Sequence, residues 1–314
     1  MSIDTPLENA SLTQLQQTSI DSVLNIIDQG LVHLPTYREL YYRWERQQWR
    51  AQDLDFSADR KQWEAMSPEE RTMRMYGLSS FFQGEACVTD TLAPYVTAMP
   101  DEEMRIFLTT QLVDEARHTV FFARFFNEVL GIDKGKMEDT LLATHQYINP
   151  HLRYILIDAL SEVAEQIRQE PANLNHLVRG ITLYHVIVEG TLALAGQRGI
   201  LEIYRMRGIF PVFRGGFTAV ARDESRHVIF GVKFLRDMIQ QDAGYARVVQ
   251  ATIEQFAPRA ITVLMPSDEN IPLMVNARQD PWMTPRYAQD SLRKKLKVIG
   301  LSMELPSVPP PPTF

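Results

Sequence analysis

Two short stretches of this chain offer the same chemistry. Asp114-Glu115-Ala116-Arg117-His118 and Asp223-Glu224-Ser225-Arg226-His227 both follow the pattern D-E-x-R-H. On a helix, a Glu and a His three apart share one face, about one turn apart. That face presents a carboxylate and an imidazole to a single metal ion. One E-x-x-H alone is mostly a solvated helix face. Two copies with the same leading Asp and the same intervening Arg carry far more weight. They also sit among Gln111-Leu112-Val113, Thr119-Val120-Phe121-Phe122 and Val228-Ile229-Phe230. Charges carried into such apolar surroundings are costly unless something pairs with them.

A two-metal site needs one further carboxylate for each motif. The first half offers Glu85, among apolar and small neighbours, and the second offers Glu189, more isolated still. The order Glu85, then Glu115 and His118, then Glu189, then Glu224 and His227 is a pair of helices used twice. The spacing from Glu85 to Glu115 is 30 residues and from Glu189 to Glu224 it is 35, each fitting two antiparallel helices joined by a short turn. Four carboxylates balance two divalent ions, where either set alone would be intolerable in a core. Oxygen-rich donors with two imidazoles suit manganese or iron; zinc and copper prefer more nitrogen or sulfur. Asp114 and Asp223 are placed to accept from the His of the opposite motif and fix its tautomer. Arg117 and Arg226 could pair with those aspartates, or form plain salt bridges.

The elements that must position these residues read as helices throughout. No period-two stretch argues for a sheet. Residues 1–10 read as loosely attached. Apolar residues from Ser11 to Gln29 recur at helical spacing, with Gly30 as the stop. A short aromatic and charged helix falls within 34–50, and Asp53 to Arg60 reads as a connection. Ser67-Pro68-Glu69-Glu70 is a capping box with Pro at the first helical position. It opens a helix running towards Met99, with Pro94 as a bend. Pro100-Asp101-Glu102-Glu103 opens the next, which stops near Gly131. Further helices are expected over about 135–169 (interrupted at Pro150), 173–206, from Pro211 to about Gln241, and 243–264. After Pro266 the pattern weakens, and Pro306 to Phe314 reads as an extended tail. The fold class is all-α: a ferritin-like four-helix bundle core with accessory helices. The division expected is a helical N-terminal extension over 1–30, the metal-binding helical domain over 31–265, and a C-terminal extension over 266–314.

Composition sets the outer bounds. The 314 residues are 45% hydrophobic and 23% charged, enough for a large core. A net charge of −7 argues against nucleic acid, and Arg293-Lys294-Lys295 reads as a solvated helix face. The one cysteine excludes an internal disulfide and fits a reducing compartment. No apolar run has the length of a membrane span, and the N-terminus lacks the basic start and apolar stretch of a signal peptide. A cytoplasmic protein is the expectation.

The segments FFQGEACVTD, VDEARHTVFF, LYHVIVEGTLALAG and ARDESRHVIFG resemble the four metal-binding helices of the R2-like ligand-binding oxidases, relatives of the ribonucleotide reductase small subunit. DLDFSADRKQWEAMSPEER resembles the entry to that fold, so the likeness covers about residues 45–240. It implies a manganese/iron pair that activates dioxygen, with two irons as the alternative. Glu85, Glu115 and His118 would hold the manganese; Glu189, Glu224 and His227 would hold the iron. It further implies a long-chain fatty acid or similar apolar carboxylate on the metals, with its tail in an apolar tunnel. An electron donor of unknown identity and a homodimer complete the expectation. The family's ether cross-link between a valine and a tyrosine maps onto Val88 and Tyr184. Val88, three after Glu85, shares that helix face. Tyr184 lies five before Glu189, off the face of an ideal α-helix, and a π-bulge would restore the alignment. His185, four before Glu189, is the rival inward residue, either a hydrogen-bonded core histidine or an extra ligand.

Three rivals stand beside this reading. A reductase radical subunit usually carries a tyrosine four after the first ligand His, where this chain has Phe122, although a subclass without it stores its oxidising equivalent in a manganese/iron pair; the radical path also needs a C-terminal tyrosine, and none follows Tyr287. A ferritin-like di-iron N-oxygenase or monooxygenase would use His185 as a seventh ligand. A metal-storing helical protein would need no Val/Tyr pair.

Overall fold

The computed structural model describes residues 7–276 and 278–312, and among these there is no strand. Four long helices form the core: α1 (Pro68–Thr91), α2 (Glu102–Glu128), α3 (Leu174–Met206) and α4 (Pro211–Gln241). α1 starts where its capping box sits, with Ser67 accepting from the Glu70 N–H and Pro68 in the first turn. Asp101 caps α2 by accepting from the N–H groups of Glu103 and Met104.

α4 has no side-chain cap of its own. Its preceding residue, Phe210, adopts φ 49°, a left-handed conformation unusual for a bulky side chain. Two residues of the helix Ser57–Ala65 hold this start together. Asp59 accepts from the N–H groups of Val212 (3.1 Å) and Phe213 (2.6 Å), and Gln62 Oε1 accepts from the Phe210 N–H (2.6 Å). The orphan donors of the central helix are thus satisfied from outside it. α4 is buried on every side, from Gly215 through Val232. It is the axis around which the molecule packs.

α3 is long and apolar enough to span a membrane by length and composition, although no such run is visible as an unbroken apolar stretch in the sequence. In the fold, 89% of its most apolar window is buried inside the protein. Residues Thr182–Ala193 of α3 are π-helical, as is Tyr154–Ala159 in the helical segment 150–169.

Several local expectations are corrected. Gly30 does not stop a helix. The N-terminal segment forms two helices, Leu12–Gln17 and Ile20–Val32, and Gly30 lies within the second. A Cβ there would stand 2.4 Å from Ile229 Cδ1, so the glycine permits close approach to α4. The expected connection 53–60 already contains the start of Ser57–Ala65, whose Asp59 is drawn into capping α4. α1 ends at Thr91, and Ala93–Ala98 is a separate short helix, so Pro94 begins an element instead of bending one. Of the stretch read as loose, residues 1–6 lie outside the described residues, and within 7–10 Glu8 is buried and pairs with Arg43 (3.5 Å) and Arg46 (3.8 Å), while Asn9 is exposed. Beyond Pro266 two more helices form, Asn270–Asn276 and Met283–Ile299. Lys295, read as part of a solvated face, is buried within the second of these.

Candidate metal centre

The six candidate ligands come together on the inner faces of α1 to α4, all buried. His118 Nδ1 lies 3.4 Å from an oxygen of each of Glu85, Glu115 and Glu224. His227 Nδ1 lies 3.2 Å from Glu115, 3.4 Å from Glu189 and 3.3 Å from Glu224. Glu115 turns Oε2 to His118 and Oε1 to His227, and Glu224 likewise turns Oε1 to His118 and Oε2 to His227. The two helix-pair triads expected from the sequence therefore interlock. Each His faces three carboxylates, and Glu115 and Glu224 stand between the two pockets.

The ligand atoms of each pocket all lie within 4.8 Å of one another. Among the described residues, Glu115 Oε2, Glu189 Oε2 and His118 Nδ1 are buried without a hydrogen-bond partner. Buried acceptors left unsatisfied are costly. A cation in each pocket would satisfy them, and the donor set, carboxylate oxygens with one imidazole per pocket, fits hard-to-borderline divalent metals. Without metal, protons take that place. Burial alone opposes charge on His118 and His227, yet Glu85 beside the first and Glu189 beside the second outweigh it, holding both imidazoles well above their ordinary range. Burial pushes Glu85 up to about 8, and burial with Glu224 nearby holds Glu189 well above the carboxylate range. Burial works against ionising Glu115 too, but the imidazoles of His118 and His227, each facing one of its oxygens, keep it well below the carboxylate range.

The outer ring crosses over between the two motifs. His118 Nε2 meets Asp223 Oδ2 at 3.3 Å, and His227 Nε2 meets Asp114 Oδ2 at 3.1 Å. Each aspartate thereby orients the imidazole of the other helix, as the sequence reading expected, and turns Nδ1 toward the carboxylates. Arg117 and Arg226 each pair with both aspartates. Trp44 Nε1 donates to Asp114 (3.0 Å) and Trp49 Nε1 to Asp223 (2.7 Å). Nothing in the residue pattern assigns these tryptophans such a role. They are far from the motifs along the chain, and their only signal was a cluster of aromatic residues in one short segment.

Val88 and Tyr184 both border this cluster. Val88 is buried on α1, one turn beyond Glu85. The Tyr184 hydroxyl donates to Glu115 Oε1 at 2.9 Å. That contact is made from within the π-helical stretch, whose wider turn brings a residue five before Glu189 to the same face. Burial, then Glu115, holds the phenol well above its ordinary pKa, so it remains a donor. His185 turns elsewhere. Its Nε2 contacts Gln111 Oε1 at 3.0 Å, and Gln111 Nε2 donates to Glu189 Oε1 at 3.0 Å. Because the Gln111 amide nitrogen is spent on Glu189, its oxygen accepts, and His185 carries its proton on Nε2. Burial and the neighbouring His227 keep His185 neutral.

A cavity of about 350 Å³ opens on the carboxylates Glu85, Glu115, Glu189 and Glu224. Its walls are otherwise mostly apolar, with Val88, Leu156, Val188, Leu192 and Ile200 among them and the hydroxyls of Ser80 and Thr284 as exceptions, and it reaches the surface beside Ile203. Such a cavity is sized for a small molecule that is apolar along its length and polar at one end.

Comparison with known proteins agrees with this picture. The family model described as ribonucleotide reductase, small chain, matches residues 32–263. An R2-like ligand-binding oxidase with aerobically reconstituted metal cofactor after photoconversion superposes with a TM-score of 0.73 at 25% identity, covering 84% of this chain and 93% of that one. A valine-to-isoleucine variant of an R2-like ligand-binding oxidase, with anaerobically reconstituted Mn/Fe cofactor, superposes with a TM-score of 0.72 at 26% identity and the same coverage. A tyrosine-to-phenylalanine variant with aerobically reconstituted Mn/Fe cofactor gives the same values.

Proposed function

This chain belongs to the ribonucleotide reductase small-chain family, and from that premise we propose that it is a dioxygen-activating oxidase with a manganese/iron pair. It oxidises strong C–H bonds and binds a long-chain fatty acid-like carboxylate. Glu85, Glu115 and His118 would hold the manganese, and Glu189, Glu224 and His227 would hold the iron. The observation that carries the reading is the apolar cavity that ends on the four carboxylates beside Val88 and Tyr184.

When bound, the metal pair supplies the dioxygen chemistry and the oxidising power. The chain's own residues do the rest. The ligand carboxylate lies at the metal end, and its tail lies along Val188, Leu192 and Ile200, out of water. Asp114 and Asp223 keep the imidazoles in the tautomer that leaves Nδ1 free. Gln111 fixes one oxygen of Glu189. Tyr184 holds its phenolic proton at Glu115 Oε1, a ready acceptor when the phenolic oxygen bonds to carbon. In the Val88–Tyr184 cross-link, one C–H and one O–H bond break and one C–O bond forms. The two electrons and two protons pass to dioxygen.

The test is peptide mass spectrometry of protein loaded aerobically with manganese and iron, against a metal-free control. A species joining the Val88 and Tyr184 peptides, two hydrogens lighter than their sum, is expected only with metals and oxygen. Its absence from protein shown to hold both metals would remove the cross-link and favour a reductase subunit or an N-oxygenase. Against a reductase subunit that stores a tyrosyl radical, Phe122 offers no hydroxyl and is packed among Phe81, Phe82, Phe213 and Phe217. Against the second, His185 is committed to Gln111.

A further inference from the structure

Two polar side chains behind the metal ligands have no counterpart in the other half of the internal repeat. Gln111 stands four residues before Glu115, and His185 four before Glu189. The corresponding places, four before Glu224 and four before Glu85, are taken by Val220 and Phe81. The bundle architecture alone therefore does not require a polar pair there. Both side chains are fully buried, which is costly for an amide and an imidazole unless each finds a partner.

The pair is satisfied in one direction only. The Gln111 amide nitrogen lies 3.0 Å from Glu189 Oε1 and 3.5 Å from Glu115 Oε1, so it faces two carboxylates. Its oxygen lies 3.0 Å from His185 Nε2. Turned over, the amide would set its oxygen against both carboxylates. The His185 N–H gives that oxygen a partner only in the orientation that points the nitrogen at the ligands. The imidazole is itself held in place. A Cβ on Gly231 of α4 would overlap His185 Cβ, so the side chain backs onto bare helix, and the rings of Tyr184 and Phe230 flank it at 4.6 Å and 5.5 Å. Glu85 receives no such support: among the described residues, its carboxylate meets no side-chain donor other than His118.

We infer that His185 is a positioning residue for the metal pocket of His227, acting through Gln111 to hold the Glu189 carboxylate in one rotation. The inference rests on reading Glu189 as a metal ligand. Its Oε1 is tied to the amide, and its Oε2 stays buried without a hydrogen-bond partner. A carboxylate held this way meets its ion without first losing rotational freedom, and partners of this kind are worth about 10- to 100-fold in metal affinity. Glu85, which faces the cavity, keeps that freedom. The two pockets thus have matched ligand types and unequal support.

The test uses the full chain, freed of metal and titrated with manganous ion alone, with the unbound ion read by its electron paramagnetic resonance signal. The wild type should take up two equivalents. Gln111→Met and His185→Leu should each weaken one equivalent by about ten-fold or more and leave the other within about two-fold. In the double variant the loss should equal that of Gln111→Met alone, because His185 has nothing left to act through. His185→Gln, whose amide can donate from near the place of Nε2, should restore most of the affinity. Gln111→Met binding like the wild type would overturn the relay, whether or not His185→Leu folds. A loss in His185→Leu that persists in full on the Gln111→Met background, or that His185→Gln does not restore, would make His185 a ligand or a packing residue and overturn it equally. A wild type that takes up fewer than two equivalents would overturn the two-metal reading itself, and the relay with it.

Discussion

At the scale of single residues, the orientation of the two imidazoles is the most exposed feature of the site. Asp114 receives His227 Nε2, Arg226 and the Trp44 indole at once. Asn at this position keeps an acceptor for the imidazole but removes the charge that balances Arg226. Asp114→Asn should lower metal affinity by about 10- to 100-fold, measured by competition with a chelator, while leaving the six proposed ligands untouched. An unchanged affinity would mean that His227 is oriented by packing alone. The crossing of Asp onto the opposite His was legible in the sequence, because two identical motifs on facing helices leave each Asp beside the other's imidazole. The sharing of Glu115 and Glu224 between both pockets was not legible. Spacing along one helix says which face a carboxylate takes, and nothing about how its two oxygens divide. Gln111 was visible only as a flank of the first motif, since an amide reveals its partner only when the distant Glu189 and His185 are in place.

At the scale of elements, the C-terminal helix Met283–Ile299 lies across the π-helical stretch that carries Glu189. The side chain of Lys295 runs over Gly190, where a Cβ would meet Lys295 Cε at 2.8 Å. The Lys295 amine donates to Ser291 Oγ (2.5 Å) and the Ser291 carbonyl (3.3 Å), and Ser291 Oγ lies 3.4 Å from the Gly190 carbonyl. Burial pushes Lys295 down to about 7; Asp28 favours its charge and Lys294 opposes it. An unfolded lysine titrates near 10.4. Between about pH 7 and pH 10 the unfolded chain therefore holds the proton more tightly than the folded one, and stability rises with pH across that window. Below it the penalty is complete, on the order of 4 kcal/mol. Lys295→Met keeps the length and removes the charge. Denaturant unfolding of the metal-free protein should show the variant more stable at pH 7 and below, with the gap closing toward pH 10. Parallel profiles for the two proteins would show that the amine stays charged in the fold. The need for a π-bulge near Tyr184 followed from counting five residues to Glu189. Its extent, Thr182–Ala193, and the second π stretch at Tyr154–Ala159 did not, because helix pitch is set by what packs against the backbone.

At the scale of the whole molecule, the four core helices follow from capping boxes, prolines and apolar spacing, and most fall within a few residues of where the sequence puts them. The ends of the chain do not, because short amphipathic pieces owe their form to what they cover. Arg222 of α4 shows this best. It is buried, and its guanidinium donates to the carbonyls of Leu7 (3.4 Å), Ala10 (2.9 Å) and Gln47 (3.1 Å). The N-terminal segment thus closes over a charge that the central helix cannot expose. Shortening the chain to begin after Ala10 strips two of these acceptors and should cost roughly 1–3 kcal/mol or more, since the stranded donor is charged. The same cut also removes the pairs of Glu8 with Arg43 and Arg46, so the single comparison is ambiguous. A cycle resolves it: Arg222→Met is made in both the full and the shortened chain, and unfolding is measured for all four proteins. The Glu8 pairs cancel between the arms. In the full chain the substitution leaves three carbonyls without their donor and destabilises. In the shortened chain it relieves a stranded cation and should cost less, by at least about 1 kcal/mol of coupling. Strict additivity would mean that water replaces Leu7 and Ala10 at no cost, and that the N-terminal segment is an ornament on α4, not its cover.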